Sequence, residues 1–321
     1  MFATFADPTT DFVFKRIFGT EANKHLLVAL LNHLLELDGE HRIQDVTYLP
    51  PEQAPPLPEM KLSAVDVKCR DERGRSYVVE MQVLNVEGFE KRIVYNASKA
   101  YVMQLPSGGA YQDLAPVIGL TICDFVFWST NGNGSSAAGL PVPMLSRWRL
   151  QEQQSAVRGL SDVQYSFLEL PKYAAGAQPV SMVERWAYFF REAKNLQEIP
   201  SALADRPFRG ALELARIANF TVAEWEAYDR ARMAEQDARG ALSLARKEGL
   251  AEGEARGLCR VMGIEWSAER EAQVQAMTLS ELEALRDHLL THRPERAGRV
   301  IKHQQDQGAR SRGVTLDWRR D

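Results

Sequence analysis

The chain has 321 residues, of which 45% are hydrophobic and 26% charged, with a formal net charge of -4. These are the proportions of a soluble globular protein with room for one large or two modest cores. The acidic balance excludes a global attraction to nucleic acid, so any contact with DNA must use a local basic patch.

Thr9 or Thr10 can cap a first helix in which Asp11, Phe14, Lys15 and Phe18 recur at helical spacing up to Gly19. A second helix is expected over Glu21 to Leu37, with Leu26, Leu27, Leu30, Leu31, Leu34 and Leu35 on its buried side. Pro50, Pro51, Pro55, Pro56 and Pro58 read as a connector without regular structure. Two alternating runs follow, Leu62 to Cys69 and Tyr77 to Leu84, joined by Asp71-Glu72-Arg73-Gly74 as a hairpin. Phe89 to Leu105 reads as a helix with Phe89, Ile93, Ala97, Ala100 and Tyr101 inward and Arg92, Asn96 and Lys99 along one flank. Val117 to Phe127 and Val163 to Leu170 read as strands, separated by a Gly, Ser and Asn-rich loop over Trp128 to Gly139. The succession is α/β in class, a mixed sheet flanked by helices.

From about Met182 the pattern turns helical, with one helix around Trp186, Phe189 and Phe190 and another over Phe208 to Phe220. Residues 223–258 form a charged Gly, Ala and Glu-rich helix interrupted by Gly240, Gly249, Gly253 and Gly257, each costing about 1 kcal/mol relative to Ala. It reads either as a solvated connector or as a self-association element. The expected organisation is a core over 1–180, a helical extension over 181–222, this helix, a small helical unit over 259–293 and a basic, disordered tail over 294–321. Cys69, Cys123 and Cys259 lack metal-ligand spacing and read as buried thiols in a reducing compartment. The amino terminus carries no signal-peptide pattern and no apolar run approaches a membrane span, so a cytoplasmic protein without a membrane partner is expected.

The hairpin carries the chemistry. Leu62, Ala64, Asp66 and Lys68 share one face of the first run, and Val78, Glu80, Gln82 and Leu84 one face of the second. If the loop preserves face, Asp66 and Glu80 meet above an apolar floor. Two carboxylates so close repel unless a proton or a divalent cation lies between them, and hard oxygen ligands suit Mg²⁺ or Mn²⁺. The alternative is an ordinary pair of solvated strand acids.

Asp11-Phe12-Val13-Phe14-Lys15-Arg16-Ile17-Phe18-Gly19 resembles the start of the Rpn family of recombination-promoting nucleases, also described as transposases of the PD-(D/E)XK superfamily. The resemblance continues through Ala64-Val65-Asp66-Val67-Lys68, Tyr77-Val78-Val79-Glu80-Met81-Gln82, Arg92, Tyr95, Tyr101, Gly108-Gly109-Ala110-Tyr111 and Phe167-Leu168-Glu169-Leu170-Pro171-Lys172, over most of residues 7–260. It implies a restriction-endonuclease-like core followed by a helical C-terminal region, with Asp66 and Glu80 binding a divalent metal, Mg²⁺ foremost and Mn²⁺ or Ca²⁺ as alternatives. Gln82 stands where the superfamily usually has lysine, and Val65 where it has proline.

Gln can orient a water but brings neither charge nor base. Lys68 either supplies a migrated ammonium or pairs across the strands with the acids. Asp11 either adds a third metal oxygen or favours its own helix dipole. Lys15 either approaches backbone phosphate or is a solvated surface lysine, while Arg92 and Lys99 are expected to contact DNA phosphates. The expected function is a metal-dependent DNA endonuclease that promotes recombination, of low sequence specificity because no zinc finger or clear helix-turn-helix is evident, with a homodimer expected from the apolar anchors of residues 223–293 and from the need to cut two strands. The alternatives are a nuclease-fold DNA-binding or assembly protein with little or no turnover, and a transposase-related protein.

Overall fold

The computed structural model describes residues 3–53, 62–129 and 140–291. Its first two helices, α1 (Asp11–Phe18) and α2 (Lys24–Leu34), arise where apolar residues recur at i, i+3 and i+4. Val13, Phe14, Ile17 and Phe18 of α1 and Leu26, Leu27, Leu30, Leu31 and Leu34 of α2 are all buried. α2 is shorter than the periodicity predicts. Glu21–Asn23 forms a separate 3-10 turn before it, and Glu36 adopts a positive φ of 50° just after it.

A mixed sheet of six strands has the order β1 (Val46–Leu49), β4 (Val67–Asp71), β5 (Ser76–Gln82), β6 (Val117–Cys123), β8 (Val163–Glu169) and β7 (Leu145–Trp148). β2 (Glu52–Gln53) and β3 (Ser63–Ala64) form a separate antiparallel pair. β4 is antiparallel to β1 and β5, whereas β5, β6 and β8 are parallel. Parallel neighbours need a crossover, and α3 (Phe89–Val102) supplies the one between β5 and β6. The edge strands β1 and β7 escape sequence prediction because four residues show too little alternation.

Both faces of the sheet are covered, which is why every residue of β6 is buried. On one face Val67, Cys69, Tyr77, Val79 and Met81 join Phe14, Phe18 and Leu30, with α4 (Met182–Glu192) and α5 (Phe208–Ala215) contributing Trp186, Phe190 and Phe208. On the other, Val78 and Val117 pack on Ala97 and Ala100 of α3, and Phe167 packs with Phe89 and Ile93. The helix expected over Phe208 to Phe220 ends at Ala215, and Ile217–Asn219 continues as a 3-10 turn.

The expected hairpin forms, and Asp71 explains why. Its Oδ1 accepts the backbone N–H groups of Arg73 (3.0 Å) and Arg75 (2.9 Å), and its Oδ2 accepts the Tyr77 hydroxyl and pairs with Arg75 at 2.7 Å. Gly74 supplies the positive φ of 83° that closes the turn. The first run is not one strand, however. It breaks between Ala64 and Val67, so Asp66 lies in a bend that redirects the chain from β3 into β4.

The chain divides into two compact units, Met1–Glu235 and Gln236–Asp321. α6 (Val222–Met262) begins in the first and ends in the second. Thr221 and Glu224 cap its start reciprocally, and Gly263 ends it with φ 71° and an Ile264 N–H to Cys259 carbonyl bond of 2.9 Å. In the second unit Ala251, Ala255 and Cys259 pack on Val274 of α7 (Ala268–Gln275) and Leu282, Leu285 and Leu289 of α8 (Leu279–Thr291). Residues 54–61 of the proline-rich connector, 130–139 of the loop and the basic tail 294–321 lie outside the described residues. Among the described residues no helix is long and apolar enough to cross a membrane, and the three cysteines are buried and free.

Candidate active site

The last register pair of the β4–β5 hairpin is Val67 with Val79, so one further step faces Asp66 toward Glu80. Although Asp66 has left the strand, it stays tied to this position: its Oδ2 accepts the Met81 N–H at 2.8 Å. Glu80 sits near the C-terminal end of β5 on the face that α3 covers, and Asn96 Nδ2 donates to its Oε1 at 2.8 Å. Gln53, fully buried on β2, donates in turn to the Asn96 carbonyl at 3.4 Å. Arg92, Asn96 and Lys99 fall at i, i+4 and i+7 of α3 and so line one flank. Arg92 donates to Gln82 Oε1, Asn96 to Glu80, and Lys99 Nζ lies 3.5 Å from the Ser63 hydroxyl.

α1 approaches from the opposite side. Lys15 pairs with Asp11 one turn before it, and its Nζ lies 3.7 Å from Asp66 Oδ1. Burial alone would lower the Lys15 pKa, and the bond it donates to Asp11 with the nearby Asp11 and Asp66 charges more than offsets that, leaving it raised. Asp66 itself is pushed up to about 6, chiefly by burial. The Met81 N–H and Lys15 oppose that rise, while Asp11 and Glu80 add to it. Burial also raises Glu80, against the Asn96 bond and the Arg92 charge. In both acids burial outweighs the nearby donors and cations, so the charged form is disfavoured.

Asp66 thus stands beside Glu80 on one side and Lys15, with its partner Asp11, on the other, while Gln82 and Arg92 adjoin Glu80. Lys68 and Lys99 stand elsewhere. Lys68 is half-buried and held down first by burial, then by its neighbours Arg70 and Lys99. Lys99 is 5% exposed and lies over the Tyr95 ring, which corrects its expected position at a surface facing phosphates. The apolar stripe of α3 draws it inward, because Ala97 and Ala100 on either side are buried. Asn96 and Gln53 are the members that sequence reasoning left without a role. The Arg92, Asn96, Lys99 spacing could have assigned Asn96 to Glu80, whereas Gln53, beside the prolines, carries no such signal.

Among the described residues no three His, Cys, Asp or Glu side chains stand close enough to cage a cation on their own. The donor set nevertheless fits a hydrated divalent ion. Asp66 and Glu80 offer hard carboxylate oxygens, and Asn96, bonded to Glu80, keeps a buried Oδ1 with no partner among the described residues that could accept from a water of the ion. Mg²⁺ keeps several waters and takes one or two carboxylates, which matches this set.

A family model described as PD-(D/E)XK nuclease family transposase matches residues 8–245. Neither the curated proteins nor the solved structures provide a match. The mixed sheet, its flanking helices and the helical C-terminal region make up a restriction-endonuclease-like fold.

Proposed function

Because this chain belongs to the PD-(D/E)XK nuclease family transposases, we propose that it is a divalent-metal-dependent endonuclease that hydrolyses DNA phosphodiester bonds. The observation that carries this reading is half-buried Asp66 set one register step from buried Glu80 at the open end of the hairpin, with burial outweighing the donors that each acid has. Asp66 and Glu80 would hold the cation, Mg²⁺ foremost. When bound, such an ion offsets the charge of the scissile phosphate and lowers the pKa of the attacking water. Asn96 fixes the rotamer of Glu80, and the Met81 N–H fixes that of Asp66. Gln82 spends Nε2 on the Leu84 carbonyl and one lone pair on Arg92, which leaves its second lone pair to orient the water. Arg92, steadied by Gln82 and by the Phe89 ring 5.4 Å away, contacts a neighbouring phosphate. Such contacts give affinity without sequence information, so cleavage is expected to be weakly specific and to promote recombination through the broken ends it leaves.

A second reading, a DNA-binding or transposase-related protein with little turnover, is favoured by Gln82 standing in the lysine position with most of its amide already engaged. Plasmid nicking with and without Mg²⁺, Mn²⁺ or Ca²⁺ separates the two. Metal-dependent nicking that is lost in Asp66→Ala and Glu80→Ala supports the endonuclease, and binding without any nicking supports the second reading.

Self-association is proposed through α6, along which Trp225, Leu242, Leu244 and Leu250 are exposed. Tyr228 is no part of such a surface: it is 4% exposed, and its hydroxyl accepts the Asp7 N–H at 3.0 Å. Sedimentation velocity at tens of micromolar concentration tests the dimer, and a monomer with and without DNA would exclude it. The three buried free thiols fit a reducing, cytoplasmic setting.

A further inference from the structure

The superfamily's lysine is absent from β5, and neither Lys68 nor Lys99 bonds to Asp66 or Glu80. α1 nevertheless brings one ammonium to the carboxylates: Lys15 Nζ lies 3.7 Å from Asp66 Oδ1 and is paired with Asp11. We infer that Lys15, delivered from α1, is the catalytic ammonium of this centre and that Asp11 is its positioning residue rather than a metal ligand. The inference rests on the endonuclease reading and deepens it.

The geometry supports the assignment in three ways. Lys15 and Asp11 occupy successive turns of α1, so the carboxylate tethers the long side chain and reduces the entropy lost when it points at the site. α1 cannot drift, because Val13, Phe14, Ile17 and Phe18 around Lys15 are fully buried in the main core. The lysine side chain is 44% exposed and so remains free to meet an incoming phosphate, whereas Asp11, at 63%, is too solvated to serve as a strong inner ligand. Without cation, Lys15 partly neutralises Asp66. With Asp66 and Glu80 holding a divalent ion, Lys15 would be free to donate to the phosphate oxygens, where charge develops as water adds to phosphorus, the bond to the leaving oxygen breaks and the water's proton ends on that oxygen.

The tests are Lys15→Gln, Lys15→Arg and Asp11→Asn in the full-length chain, with Asp66→Ala as the metal-binding control. Mn²⁺ binding is read calorimetrically without DNA, duplex binding in Ca²⁺, and cleavage under single turnover in Mg²⁺. Lys15→Gln is expected to cleave about a hundredfold more slowly, the loss typical of a removed transition-state donor. It should bind Mn²⁺ as tightly as the native chain or up to a fewfold more tightly, because a competitor for Asp66 has gone. Its duplex affinity should change by less than about threefold, as for one lost phosphate contact. Lys15→Arg should recover part of the rate, and Asp11→Asn should slow cleavage about tenfold without weakening Mn²⁺ binding, since a tether only positions. Native cleavage with an undiminished rate in Lys15→Gln overturns the inference and leaves the endonuclease standing. Weaker Mn²⁺ binding in Asp11→Asn overturns the role given to Asp11. Failure of the native chain to bind Mn²⁺ through Asp66 removes the endonuclease reading, and this inference with it.

Discussion

The two ends of the β4–β5 hairpin each hold an aspartate, five positions apart, and they are built for opposite purposes. At the turn, the Asp71 side chain is fully buried and receives two backbone N–H groups, the Tyr77 hydroxyl and the Arg75 guanidinium. Its oxygens are spoken for, its charge is balanced, and nothing remains for a ligand. At the open end, Asp66 is 21% exposed and receives one N–H at bonding distance, with an ammonium at 3.7 Å. Glu80 beside it adds a second carboxylate with one amide donor. A satisfied acid stabilises the fold, and an under-satisfied pair holds electrostatic potential that a cation can relieve.

The largest effect expected from this contrast is on chemistry. Asp66→Asn and Glu80→Gln should each lower metal-dependent cleavage by on the order of a thousandfold or more, because a neutral amide holds a divalent cation poorly. Both variants should remain folded, since neither acid belongs to the apolar cluster of Val65, Val78 and Val117 on the α3 face. Circular dichroism alongside a nicking assay checks the pair. Unfolding of both would make the open end structural, like the turn.

At the turn the same substitution acts on stability. Asp71→Ala strands the Tyr77 hydroxyl and two turn N–H groups and leaves Arg75 unpaired, at a cost of about 3 kcal/mol. For a unit of this size that lowers Tm by about 6–12 °C. Metal affinity, measured below the melting transition, should stay within about twofold of native, because Asp71 touches none of the donors at the open end. An unchanged Tm would show that the turn does not depend on its aspartate.

Much of this contrast was legible in the sequence. Alternation marked β5 and most of β4, and Asp-Glu-Arg-Gly marked the turn. The resemblance then pointed to Asp66 and Glu80. The break at Val65-Asp66 was not legible, because alternation persists through it even though the chain leaves β3 and joins β4. Local pattern reports which face a residue prefers, and the tertiary bond from the Met81 N–H decides where Asp66 stays. Lys99 misled for a related reason: a lysine on a helix reads as exposed until the packing on both sides of it is known. β1 and β7, defined only by their neighbours in the sheet, lacked a signal of their own.

Protonation acts more gently at the open end. Asp66 titrates at about 6 in the folded chain against an ordinary 3.8. Between these values the folded state binds more protons than the unfolded one, so its stability falls as pH rises. The contribution is full below about pH 4 and lost above about pH 6, and amounts to about 1–2 kcal/mol after allowing for partial solvation. In the absence of metal, the Tm difference between native chain and Asp66→Asn should therefore decline across that window. Excess Mg²⁺ should reverse the trend, because it binds the ionised carboxylate and stabilises increasingly as protons leave. A difference that is flat with pH in both conditions would mean that Asp66 is not the group titrating there.

The smallest effect concerns Gln82, where the open end meets Arg92. Gln82→Lys restores the residue more usual in the superfamily, yet here it removes the acceptor that Arg92 uses and sets an ammonium beside the guanidinium. Two exposed like charges at this distance cost about 0.5–1 kcal/mol, a Tm loss of about 2–3 °C in low salt that shrinks as salt screens it. A bound phosphate reverses the sign, since it can accept from both cations at once. Duplex DNA with Ca²⁺, which supplies the ion without supporting rapid cleavage, should therefore stabilise Gln82→Lys more than it stabilises the native chain. Thermal melts of both proteins with and without that duplex read the difference directly. Equal stabilisation of the two would separate Arg92 from the phosphate path and leave Lys15 as the cation that meets the scissile group.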